Sequence, residues 1–139
     1  MSRLRETLVR HEGLRLKPYR DTRNKLTIGV GRNLEDVGIT REEALLLLDN
    51  DIARVRREVE RAFSWFSGLD PVRKDVVLNM VFNLGLSRFR RFRKTVAALR
   101  ARDWEAAAEA MLDSLWARQV GRRARELAEM MRRGKYEAG

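Results

Sequence analysis

Cysteine is absent from this chain of 139 residues, and histidine occurs once, at His11. The first absence removes disulfides, thiolate metal sites and thiol nucleophiles together. The second argues against a histidine metal cluster or a serine–histidine triad. Acid–base chemistry therefore falls chiefly to carboxylates, and neither metal nor cofactor is expected. No apolar run approaches the roughly 18–20 residues that span a bilayer. The start, MSRLRETLVRHEG, has no apolar h-region, so no secretory signal is visible.

Acid is also scarce relative to base. Lysine and arginine number 30 against 20 aspartates and glutamates, a formal net charge of +10. Such an excess favours polyanions: nucleic acid, anionic lipid or an acidic wall polymer. Two segments concentrate it: RFRRFRK at 88–94 and the amphipathic RRARELAEMMRR at 122–133. They keep open a nucleic-acid-binding helical module, or a cationic protein that disrupts membranes without catalysis. No helix-turn-helix, RNA-binding or zinc signature supports specific nucleic-acid recognition. A solvated cationic surface drawn to an anionic wall or outer membrane is the preferred reading.

Hydrophobic residues make up 44% of the chain, enough for a core, and the length suits one domain. Ser2 and Gly13 bracket a first helix ending at Glu12. LRLKPY and KLTIGVG, separated by Asp21-Thr22-Arg23-Asn24, predict a small antiparallel sheet or hairpin. Thr40 and Glu43 form a capping-box pattern before a long helix carrying Leu48, Ile52, Val55, Val59 and Phe63. Asp70-Pro71 opens an apolar helix through Val76, Val77, Met80, Val81 and Leu84 to Gly85. Further helices are expected near Lys94 to Ala101, after Asp103, and from Arg122 to Arg133. The expected class is α+β, predominantly helical, with one small N-terminal sheet. Trp65, Trp104 and Trp116, and Met80, Met111, Met130 and Met131, read as packing residues.

Glu12 and Asp21 are the candidate chemical pair. A helix C-terminus disfavours an ionised carboxylate, and a glutamic acid that keeps its proton is what a general acid requires. Asp21, in a turn, has backbone donors and water to keep it ionised. Two carboxylates in unlike surroundings suit glycosidic-bond cleavage, with Thr27 helping to hold a water. Against this, a glutamate at a helix end is most often a solvated side chain, and an aspartate before threonine commonly caps its own turn. By themselves the two residues do not assign an enzyme.

The longer run HEGLRLKPYRDTRNKLTIGVGRN resembles the catalytic segment of the phage-type, T4-like lysozymes, with E-G-x-x-L-x-x-Y-x-D followed by T-I-G-x-G. GITREEALLLLDNDI, DPVRKDVVLNMVFNLG, SRFRRFRKTVAALRARDWEAAAEAM and WARQVGRRAR resemble that family's following helices, in order. The resemblance implies a single catalytic domain over 1–139 with a lysozyme-like, two-lobed fold. Its N-terminal lobe would span about 12–50, and its helical lobe about 65–139 plus the first helix. It implies muramidase activity on peptidoglycan with inversion: Glu12 as general acid, and Asp21 with Thr27 activating water. It also implies that Arg123 approaches Glu12 from the other lobe, and that Phe82, Asn83 and Thr95 bind sugar. A monomeric endolysin waiting in the host cytoplasm before release to the wall fits the same resemblance. Arg32 departs from it, standing where relatives often have histidine, and Asn83 stands where glutamine is familiar.

Overall fold

Serine at position 2 accepts a hydrogen bond from the Arg5 N–H at 3.0 Å and so starts helix α1, Arg3–Glu12. Gly13 stops it, at φ +78°, a conformation that L side chains rarely adopt. The structure, a computed structural model, describes residues 2–136. Its further elements are strands β1 (Arg15–Arg20), β2 (Leu26–Gly29) and β3 (Arg32–Asn33), then helices α2 (Arg41–Ala62), α3 (Pro71–Leu84), α4 (Leu86–Arg90), α5 (Arg93–Ala101), α6 (Trp104–Leu112), α7 (Leu115–Val120) and α8 (Arg122–Arg133). The expected helical α+β class is what forms. Backbone contacts divide the chain into two compact units, one through Leu47 and one from Leu48.

The first unit is built on a three-stranded antiparallel sheet in the order β1-β2-β3. Pro18 lies in β1, where its missing N–H is tolerated on an edge strand, and the pairing with β2 is irregular between Arg15 and Tyr19. Past β3, the capping box forms as the sequence predicts. The Thr40 hydroxyl accepts from the Glu43 N–H at 3.1 Å, and the Glu43 carboxylate accepts from the Thr40 N–H at 2.8 Å. The same carboxylate takes both terminal nitrogens of Arg32, each at 2.8 Å, and Arg32 also donates to the Gly38 carbonyl at 3.1 Å. A planar guanidinium matches a carboxylate in this two-pronged way, which a histidine cannot do. The departure at position 32 thus ties β3 to the first turn of α2.

The second unit carries the apolar core. Asp70 caps α3 by accepting from the Arg73 N–H at 3.1 Å, Pro71 occupies the first turn, and Gly85 ends the helix at φ +82°. Between them Val76, Val77, Leu78, Met80, Val81 and Leu84 are buried. They share one cluster with Val55, Val59 and Phe63, and with Leu127, Ala128, Met130 and Met131 of α8. Leu48 and Ile52 continue the α2 stripe but stay largely exposed. The apolar face of α8 is therefore spent on the core, which removes the basis for a membrane-active C-terminal helix. Trp65 stacks on Phe63 with ring centroids 4.8 Å apart, Trp116 is buried, and Trp104 lies under the Arg73 guanidinium. Two short helices, α4 and α7, are additions to the sequence expectation. Ser114 caps α7 by accepting from the Ala117 N–H.

Arg73 closes the far end of α8. Its Nε and Nη2 donate to the carbonyls of Met131 and Arg132 at 2.7 and 2.8 Å, while Nη1 reaches Asp70 at 3.1 Å. The last carbonyls of a helix lack intrahelical donors, so a cation there supplies both hydrogen bonds and a favourable charge. Arg73→Met keeps the aliphatic stem and removes the donors. We expect it to cost about 2–3 kcal/mol in urea unfolding, and a loss below about 0.5 kcal/mol would show that water replaces Arg73 freely.

The Arg32 clamp has a pH signature. Hydrogen bonds from Arg32, then from the Thr40 N–H, push the Glu43 carboxyl down from 4.5 to about 2. A lowered folded-state value means that the stabilisation is complete above the ordinary carboxylate range and is lost as pH falls toward 2. Glu43→Gln should flatten the pH dependence of the melting temperature between 4.5 and 2 relative to wild type. Parallel curves for the two proteins in that window would show that the clamp adds nothing to stability.

Candidate active site

Glu12 is the last residue of α1, so its side chain emerges where the helix gives way to the sheet. It lies against the turn between β2 and β3. A Cβ added to Gly31 would sit 3.0 Å from Glu12 Oε2 and 3.3 Å from its carboxyl carbon. Gly31 also has φ +70°. The conformation therefore requires glycine there, and a Cβ would in addition make the Glu12 carboxylate give way by a few tenths of an ångström. Arg32, the next residue along this turn, is the one clamped by Glu43.

Asp21 begins the turn between β1 and β2. Its Oδ1 accepts from the N–H groups of Arg23 and Lys25 at 2.9 and 2.8 Å. Its own N–H donates to the Lys25 carbonyl at 3.0 Å, and Asn24 takes the left-handed φ of +61° that closes the turn. The self-capping role expected of an aspartate in this setting is real, and it occupies one carboxylate oxygen. Oδ2 takes no part in these bonds, so the group holds its turn and still presents an acceptor.

Thr27 is only 2% exposed, and its hydroxyl donates to the Lys25 carbonyl at 2.8 Å. With that proton committed, the oxygen's lone pairs are left to accept. Thr27 pairs with Tyr19 across the sheet. Asp21 follows the end of β1, and its backbone bond to Lys25 sets it at the end of the hairpin, two residues beyond the Tyr19–Thr27 pair.

The remaining candidates belong to the second unit and do not form one cluster. Phe82 is 44% exposed and, with Ile52, Asn79 and Arg123, lines a hollow of about 350 Å³. Arg123 is held there by Asn79, whose Oδ1 accepts from its Nη2 at 2.7 Å and its Nε at 3.1 Å. Asn83 accepts the Trp116 indole N–H at 2.8 Å, which commits its oxygen and leaves its amide donors. Thr95 is 1% exposed and lines a different hollow, of about 540 Å³, that also includes Trp116. Two supporting residues escaped the sequence reading. Asn79 carried no signal as the partner of Arg123, 44 positions away. Glu43 was legible as a helix cap but not as the partner of Arg32.

The phage lysozyme family model matches residues 9–137. The pre-baseplate central spike protein Gp5 of Enterobacteria phage T4 is 30% identical over 161 residues, covering 96% of this chain but 28% of that protein. This chain thus spans less than a third of the spike protein. Probable T4-type lysozyme 1 of Dictyostelium discoideum is 25% identical, with 99% of this chain and 98% of the amoebal protein aligned. The SAR-endolysin of Escherichia phage Mu is 31% identical over 88 residues, covering 61% of this chain and 50% of the endolysin. The family match takes in Glu12, Asp21, Thr27 and the whole second unit through α8, and it places this chain in the phage lysozyme family.

Proposed function

We propose that this protein is a muramidase: it hydrolyses the β-1,4 bond between N-acetylmuramic acid and N-acetylglucosamine in bacterial peptidoglycan, with inversion, to lyse a host cell. The observation that carries the reading is the approach of the Glu12 carboxylate to Gly31, in the same unit as the hairpin that carries Asp21 in its turn and Thr27 in β2. Relatives named as lysozymes and endolysins support it.

In this mechanism Glu12 gives its proton to the glycosidic oxygen as the bond from that oxygen to the anomeric carbon breaks. A water donates one hydrogen bond to Asp21 Oδ2 and another to the Thr27 oxygen, which turns its lone pair toward that carbon. As the water attacks from the opposite face, Asp21 takes its proton. Glu12 ends ionised and Asp21 protonated, and exchange with solvent restores both. A water set between carboxylate and sugar gives single displacement and an inverted product. The exposed Phe82 ring and the amide donors of Asn83 suit sugar contacts. No described helix is long and apolar enough to cross a membrane. Our proposal also holds the protein in the host cytoplasm until it reaches the wall.

On isolated peptidoglycan, Glu12→Gln and Asp21→Asn should each lower the rate by roughly 100- to 10,000-fold, and mass spectrometry of the wild-type digest should find muramic-acid reducing ends. Equal rates for wild type and Glu12→Gln would move the chemistry elsewhere. Proton NMR of the first product should show the α anomer before mutarotation, whereas initial β anomer would replace inversion by retention. With a +10 chain drawn to an anionic wall, the lytic rate should fall between about 0.01 and 0.15 M salt, as the screening length shortens from ~30 to ~8 Å. A rate independent of salt would remove the electrostatic attraction from the proposal.

A further inference from the structure

The turn that the Glu12 carboxylate approaches has little of its own to hold it in place. It runs Gly29-Val30-Gly31, and both glycines sit at φ +70°. Glycine brings no side chain and little backbone stiffness, so the turn goes where its flanking strands put it. One flank, β3, is only two residues long. Its register with β2 rests on two pairs, Ile28 with Arg32 and Thr27 with Asn33. So short a ladder is marginal unless side chains reinforce it.

Arg32 supplies the reinforcement. Its terminal nitrogens reach the two Glu43 oxygens at 2.8 Å each, and Nη1 also donates to the Gly38 carbonyl at 3.1 Å. Glu43 is itself fixed, because its Oε1 accepts from the Thr40 N–H at the start of α2. The two side chains are 36% and 40% exposed, so water screens their charge attraction. The forked geometry survives that screening, and it sets direction as well as distance. A helix start thus holds Arg32, which is bonded directly to Gly31 and pairs with Ile28, the neighbour of Thr27. One clamp sets both the turn beside Glu12 and the strand that carries Thr27.

We propose that Arg32 is a positioning residue for the general acid: clamped by Glu43, it holds the Gly31 turn where the Glu12 carboxylate meets it. The proposal rests on the assignment of Glu12 as that acid. Proton transfer is sensitive to such placement, since a shift of about 1 Å costs roughly 100-fold in rate.

Soluble, uncross-linked peptidoglycan strands let kcat and KM be measured separately, at a temperature where every variant is folded. Arg32→Gln should lower kcat roughly 10- to 100-fold, with KM changed less than about twofold. Glu43→Gln should do the same, because glutamine keeps the helix cap but loses the forked ion pair. The two substitutions change charge in opposite directions, so an effect through the field at Glu12 would have opposite signs. The double variant should lose no more than either single one. Arg32→Lys, which keeps the charge without the fork, should stay impaired. Arg73→Met, destabilised in the second unit, should keep the wild-type kcat. In protein isotopically labelled at glutamate carboxyls, the Glu12 NMR signal is identified by its loss in Glu12→Gln. That signal should move the same way in Arg32→Gln and Glu43→Gln and stay in place in Arg73→Met. Full kcat in Arg32→Gln, additive losses in the double variant, or an equal loss in Arg73→Met would overturn the positioning role. The signal separates two failures: a wild-type rate in Glu12→Gln overturns the acid assignment, whereas an unmoved signal in Arg32→Gln overturns the positioning.

Discussion

Helix α3 buries Val76, Val77, Leu78, Met80, Val81 and Leu84, and the second unit is arranged around that broad apolar face. Only the side of Asn79, Phe82 and Asn83 is left to water, so other elements must cover the rest. Val55, Val59 and Phe63 from α2 and its end, Phe89 from α4, and the apolar stripe of α8 share its cluster. Val76, Val77, Val59, Phe89 and Met131 are each 0% exposed. Each fully buried side chain of this size contributes about 1.5–3 kcal/mol of transfer free energy. The polar contacts of the unit then decide where its helices stop. Arg73 finishes α8, Asp70 and Gly85 bound α3, and Asn83 fixes the Trp116 ring.

The first unit is ordered by different means. Thr27 is its one buried residue among those described, and its defining contacts are hydrogen bonds and ion pairs. Asp21 ties its own turn, Glu35 accepts from both Arg20 and the Leu26 N–H, and Glu43 serves Arg32 and Thr40 together. Charge-assisted bonds of this kind are directional, and they set side-chain positions more finely than apolar contact does. That suits a unit whose proposed task is to hold two carboxylates and a hydroxyl. It also makes the unit responsive to pH and salt, where the core around α3 is indifferent to both.

Much of this was legible residue by residue. The Ser2, Thr40, Asp70 and Asp103 caps and the Gly13, Gly85 and Gly134 stops are local codes, and each operates where the sequence puts it. Helix α8 spans Arg122–Arg133, as read. The short helices α4 and α7 were not separately legible, because five or six residues carry too little periodicity to register. The cationic run at 88–94 was legible as charge. Its folding into the wall of a hollow, with the start of α5 inside it, was not.

By itself the sequence determined the helical class, the element boundaries marked by caps and glycines, the net charge and the family. These depend on neighbours a few positions apart, where backbone sterics and local hydrogen bonds act. Tertiary structure alone decided that Gly31 makes room for the Glu12 carboxylate, that Glu43 is the partner of Arg32, and that Arg123 rests on Asn79. Those pairings join residues 11 to 44 positions apart. No periodicity encodes which distant side chain a carboxylate or guanidinium will meet; that is fixed only when packed elements bring the two together and water is displaced from between them.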